Sequence, residues 1–228
     1  MKQKKTVIKL PKYLSVEEVN RLLDQPFQEG LQAKKELKER KKEKSYWIKR
    51  ARNKLFTAKR DRAILYLFYN TGIRLSELVN LNLDNIDLQR GVFKVLGKGG
   101  YEREAVFEND TIKILQDYLK ARRNWKGNNS KAVFLSRSGK RVTQMNIQRN
   151  IERYGKQAGI TKKVTPHMLR HSIATHLLNN DVDIRRVQHF LGHKSIASTQ
   201  IYTGIINDKQ KSVISKAHPL NKMKIKTI

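Results

Sequence analysis

The 228-residue chain contains no cysteine. Disulfides, thiolate zinc sites, iron–sulfur clusters and a cysteine nucleophile are therefore excluded, and nothing in the chain requires an oxidising compartment. Long apolar runs are missing too. No window approaches the roughly 18 consecutive apolar residues of a membrane span, and the N-terminus MKQKKTVIKLPKYLS has basic residues without the apolar stretch of a secretory signal. An intracellular, cytoplasmic protein is expected. Acidic residues are also scarce, with 20 Asp+Glu against 49 Lys+Arg and a formal net charge of +29. A surplus of that size in 26.6 kDa favours a polyanionic partner, because phosphates neutralised by Lys and Arg release condensed counterions. Nucleic acid is the leading candidate. A membrane surface is weaker, since the charge is not organised on an amphipathic helix with Trp or Phe anchors. The 38% hydrophobic content is low but still fills one core, so disorder is a poor description of the whole.

The pattern reads as mainly α with a small antiparallel β-sheet, an α+β chain. Ser15-Val-Glu-Glu18 is a capping box that opens a first helix to about Asp24, with Pro26 as its stop. Residues 27–62 are dominated by Lys, Arg and Glu and read as a charged insertion, solvated or touching a phosphate backbone. Residues 63–81 carry the strongest helical run, broken at Thr71-Gly72 into two helices. Residues 92–96 and 105–107 flank the basic, Gly-rich GKGGYER and predict a β-hairpin whose connection carries Lys98. A helix over 110–123 follows, and 133–135 reads as a third short strand. Thr143 opens another helix, Thr165-Pro166 caps one running to about Leu178, and residues 183–190 form one closed by Gly192. Ser195 starts a last helix through Tyr202.

Single polar motifs here are weak. His167-x-x-Arg170 means little alone, Arg74 and Glu77 at i,i+3 suit a surface ion pair, and a lysine or tyrosine taken singly suits an ordinary surface or packing role. Their order carries more: TGIRLSEL with Arg74 and Glu77, then GKG with Lys98, then HMLRH with His167, Arg170 and His171, then LGH with His193, then Tyr202 nine residues on. This ordered set resembles the tyrosine recombinases, the phage-integrase and Xer-type site-specific DNA recombinases. The flanks PKYLSVEEV, TPHMLRHSIATHLL and LGHKSIASTQIYT share in it, and it spans about Leu10 to Pro219. The resemblance implies a metal-free, cofactor-free site in which Arg74, Lys98, His167, Arg170, His193 and Tyr202 surround one scissile phosphate. Glu77 would orient Arg74, and His171 would pack behind the site.

The chemistry suits these residue types. Attack on a phosphodiester piles negative charge on the phosphoryl oxygens, and a bidentate guanidinium is well shaped to hold them. A phenol of ordinary pKa about 10 must lose a proton as it attacks, with His167 the candidate base. The leaving 5′ oxygen needs a proton, which Lys98 on its hairpin connection is placed to deliver. His193 donates to the phosphate or orients its neighbours. The six histidines lack metal spacing such as H-E-x-x-H, so no zinc site is expected.

The resemblance further implies double-stranded DNA as partner, a 3′-phosphotyrosyl intermediate, and a homo-oligomer on DNA, a tetramer in synapsis, with a monomer allowed without DNA. The expected layout is one catalytic domain over 1–228. It comprises a basic segment 1–14, the charged insertion 27–62 and a 207–228 tail that docks on a neighbouring subunit. An N-terminal core-binding domain is expected to be absent. Competing readings are a type IB topoisomerase-like relaxing enzyme and a noncatalytic basic DNA-binding module.

Overall fold

The computed structural model describes residues 13–40, 45–96, 102–192, 213–214 and 216–222. The fold begins with α1 (Val16–Glu39) and α2 (Ser45–Thr71), which pack against each other over much of their length. The capping box at the start of α1 is present: Ser15 Oγ accepts from the Glu18 N–H at 3.1 Å, and the Glu18 carboxylate accepts from the Ser15 N–H at 2.8 Å. Pro26 does not stop the helix, contrary to the sequence expectation. It lies inside α1, where Val19, Leu22, Leu23, Pro26, Phe27, Gly30 and Ala33 form one buried stripe. Burial of that stripe outweighs the hydrogen bond that proline removes and its ring clash, together costing about 3 kcal/mol.

Within the charged segment 27–62, residues 27–39 are accordingly the C-terminal part of α1 and residues 45–62 the first two-thirds of α2. From Phe56 to Thr71 α2 sinks into the centre of the molecule, and its burial becomes nearly continuous. Polar residues go with it. Arg60 and Asp61 are almost fully buried and pair with each other at 2.7 Å. Arg60 also donates to the Leu135 carbonyl, while Asn150 and Tyr154 donate to the other Asp61 oxygen. This network ties α2 to α5 (Gln144–Gln157) and to the chain at 132–135.

After the positive-φ turn at Gly72 comes α3 (Leu75–Asn80), as the predicted break requires. The sheet has the order β1 (Ile86–Asp87), β2 (Val92–Leu96), β3 (Glu102–Val106), all antiparallel. Its register pairs Phe93 with Ala105 and Val95 with Arg103. Directly opposed residues share a face, so Arg103 stands on the face that buries Phe93, Val95 and Ala105. The strand expected at 133–135 is not one. Isolated bridges join Asn82 to Ala132 and Leu135 to Arg141, while residues 132–135 run buried through the core, held by Tyr118, Arg122 and Arg60 rather than by a sheet ladder. The third strand is instead β1, too short for a periodic signal.

Helix α4 (Asn109–Arg123) is followed by α5, capped by Thr143, then α6 (Pro166–Asn179), capped by Thr165, and α7 (Ile184–Leu191), which ends at Gly192 in the left-handed region at φ 65. Near the C-terminus the chain packs on its own core: His218 and Leu220 are buried, and Asn180 donates to the Ala217 carbonyl at 2.7 Å. Among the described residues no helix is long and apolar enough to cross a membrane.

Candidate active site

Three chain segments converge where α2 turns into α3. Arg74 sits immediately before α3, and Glu77, one turn on, is nearly buried at 8% exposure. One Glu77 oxygen accepts from the Arg74 backbone N–H at 2.9 Å and the other from Arg74 Nη1 at 2.8 Å. Arg74 Nη2 reaches across to the carbonyl of Gly192 at 3.1 Å. Arg170, projecting from α6, spans the same junction: Nη1 donates to the Gly72 carbonyl and Nη2 to the Leu191 carbonyl at 2.7 Å. The two arginines thus knit the α2–α3 turn to the end of α7, directly before His193.

A third guanidinium joins them. Arg103 Nη2 donates to Glu77 at 2.9 Å. The cluster therefore sets three permanent cations against one carboxylate. Burial opposes the charge on Glu77, yet Arg103, the Arg74 main chain and the Arg74 side chain together hold its carboxyl below the usual range. Arg170 shows the opposite strain. Burial, with repulsion from Arg74 and Arg103, brings its guanidinium down to about 10, Glu77 offsetting part of the shift. It remains a cation at neutral pH. An excess of positive charge around main-chain carbonyls, running from the buried Arg170 to the partly exposed Arg74, suits an incoming anion.

His167 lies exposed in the first turn of α6, one turn before Arg170. His171 is half-buried, its ring edge-on to Tyr13 at 6.4 Å. The structure brings Arg74, Glu77 and Arg170 together and puts His167 on the same helix as Arg170. Lys98, His193 and Tyr202 lie outside the described residues, between β2 and β3, after Gly192, and beyond. Sequence reasoning did not single out Arg103, although a signal was available: in β3 it shares strand parity with Ala105 and Phe107, both buried. Among the described residues there is no group of His, Asp and Glu arranged to hold a metal ion.

Residues 41–208 match the sequence profile of the Phage integrase family. The chain belongs to that family. Similar relatives include the tyrosine recombinase XerC of Natranaerobius thermophilus, 39% identical over 221 residues, which cover 92% of this chain and 64% of the relative. The XerC of Thermodesulfovibrio yellowstonii is 35% identical over 218 residues, covering 93% and 64%. The chain thus spans a little under two-thirds of the length of these relatives. Among solved structures, XerA recombinase superposes with a TM-score of 0.65 at 33% identity, covering 92% of this chain and 66% of that one. XerH site-specific recombinase, captured bound to its difH substrate before cleavage, gives 0.63 at 27% identity, covering 82% and 48%. The mainly helical fold with its small antiparallel sheet is the phage integrase family's catalytic-domain fold.

Proposed function

We propose that this chain cleaves and rejoins duplex DNA by metal-free transesterification. Tyr202 attacks the scissile phosphate, forming a 3′-phosphotyrosyl bond and freeing the 5′ oxygen, which takes a proton from Lys98 as it leaves. The 5′ hydroxyl of a partner strand then attacks the phosphotyrosine and returns the phenol. The covalent linkage stores the bond energy, so no nucleotide cofactor is needed.

The observation that carries this reading is the Arg74–Arg170 pair. Both guanidiniums are locked by main-chain carbonyls at one junction, so they meet the charge that develops on a phosphoryl group without reorganising. His167 is the candidate base, His193 a donor to the phosphate, and His171 a packing neighbour. A tetramer on two duplexes accords with an exchange of strands. Most of the remaining positive charge, spread over the chain's 49 Lys+Arg, supplies a salt-sensitive grip on the backbone.

The target sequence is found by the same experiment that tests the chemistry. A pool of nicked duplexes with randomised sequence traps the enzyme, because the short cleaved strand diffuses away and religation fails. A covalent protein–DNA adduct that is absent in Tyr202→Phe, with one sequence enriched among the captured duplexes, supports the reading. No adduct from any duplex overturns it. Adducts without sequence enrichment, together with relaxation of supercoiled DNA, would instead assign a topoisomerase-like activity.

A further inference from the structure

We propose that Arg103 is a positioning residue for strand cleavage, latching the β2–β3 hairpin to the arginine pair through Glu77 and the Gly192 turn. The inference rests on the cleavage reading above and adds a residue that the ordered motif set does not contain. Two contacts carry it. Arg103 Nη2 takes the same Glu77 oxygen that accepts the Arg74 backbone N–H, so its pull fixes how the carboxylate presents its other oxygen to Arg74 Nη1. The Arg103 side chain also lies across Gly192. A Cβ there would meet Arg103 Cδ and Nε at 2.7 Å, and the turn already needs a positive φ of 65. Only glycine lets the guanidinium stem cover the turn whose carbonyls receive Arg74 and Arg170.

Fold stability alone does not account for this arrangement. Arg103 adds a third cation beside two others, and its charge is among those that depress Arg170. Its buried Nε has no hydrogen-bond partner among the described residues, an uncompensated cost in a residue kept for packing. What the contact does provide is a mechanical link. Arg103 lies five residues after Lys98, on the strand that receives the chain returning from that lysine. Seating β3 on Glu77 therefore sets the hairpin and Arg74 in one frame, and near-attack geometry is sensitive to displacements of about 1 Å.

The test compares wild type, Arg103→Met, Arg103→Lys, Glu77→Gln and the Glu77→Gln, Arg103→Met double variant on a nicked duplex recovered by the covalent capture above. Single-turnover adduct formation is followed at saturating duplex, with affinity and melting measured alongside. Arg103→Met should form adduct about 10²-fold more slowly, with full burst amplitude and affinity within about threefold of wild type. Arg103→Lys, which keeps one charged donor toward Glu77, should regain part of the rate. The double variant should be no slower than Glu77→Gln alone, since Arg103 acts through that carboxylate. A purely structural role would lower amplitude and melting temperature while leaving the rate per active molecule unchanged, and that result overturns the proposal. So does an Arg103→Met rate equal to wild type, or a double variant showing the product of the two single losses. A wild-type chain that forms no adduct overturns the cleavage reading and this role with it; where wild type does form one, the rate and amplitude of Arg103→Met and the rate of the double variant decide the role.

Discussion

Glu77 grips Arg74 at both ends of the residue, its main-chain N–H at 2.9 Å and its guanidinium at 2.8 Å. The double hold fixes the arginine's starting point and its tip with one carboxylate. Glu77→Gln replaces one acceptor oxygen by an NH2 group that faces cations. Single-turnover cleavage should fall about 10²-fold. The carboxyl is held below its usual range, burial being outweighed by Arg103 and Arg74, so the ion is present throughout neutral and mildly acidic pH. Its stabilising contribution should be lost only as pH falls through that depressed value, and the wild-type rate should show no inflection from this group between pH 5 and about 8. An inflection there that vanishes in Glu77→Gln would contradict the assignment.

Gly72 has φ +57, and a Cβ on it would lie 2.5 Å from Leu191 Cδ2. Gly72→Ala combines a left-handed backbone penalty with overpacking and should cost about 2–4 kcal/mol, lowering the melting temperature by roughly 5–15 °C for a chain of this size. Gly159 is the control. Its φ is +67 but nothing lies within 4 Å of an added Cβ, so Gly159→Ala should cost only the backbone part, about 1–2 kcal/mol. Equal losses in thermal melts would show that the contact with Leu191 is not what matters.

The ring of His218 is buried against Tyr69, whose carbonyl lies 3.2 Å from Nε2. Burial, reinforced by His176 and opposed by hydrogen bonds to the main chain of Tyr69 and Asn70, pushes its pKa down to about 4. The folded state keeps the ring neutral while the unfolded chain takes up a proton below about 6.5. Stability should therefore be full above that pH and decline as pH falls from about 6.5 to 4, by about 3 kcal/mol from this group. Urea midpoints at pH 7, 5.5 and 4.5 should show a steeper acid loss for wild type than for His218→Asn. Parallel losses would show that His218 is not the group responsible.

Arg122 is nearly buried and directs its guanidinium at four main-chain carbonyls, those of Asn128, Ser130, Ala132 and Val133. A planar fork with five donors matches this fan of acceptors, and an ammonium does not. Arg122→Lys should lower stability by about 2–4 kcal/mol, shifting the urea midpoint without changing the slope. A midpoint within about 0.3 M of wild type, which corresponds to about 0.3–0.9 kcal/mol at ordinary urea slopes, would mean that the loop closes on itself without the guanidinium.

The ends of the helices are legible in the sequence because capping is local. Ser15, Thr143, Thr165 and Gly192 act within three or four residues of themselves, and each does in the structure what its neighbours in sequence imply. The order of the arginine, histidine and tyrosine motifs is likewise readable, since spacing along a chain is a property of the chain. Pro26 misleads because its local penalty is overruled by burial against α2, an element that follows it in sequence. Residues 133–135 look like a strand in the sequence since they are apolar, but the chain bends at 133 and 134, and the hydrogen bonds of 132–135 go to Tyr118, Arg122, Arg60 and two isolated bridges.

What the sequence by itself determined was the composition, the local caps and the family: a basic, cysteine-free, mainly helical chain with its chemistry-bearing residues in one order. Only the tertiary structure decided which of the 49 Lys+Arg stand around Glu77. Arg103 and Arg74 are 29 positions apart in the sequence and share one carboxylate because the fold brings β3 alongside α3; Arg170 joins them from a helix nearly a hundred residues away. Side-chain proximity of that kind is set by long-range packing, which no local pattern encodes.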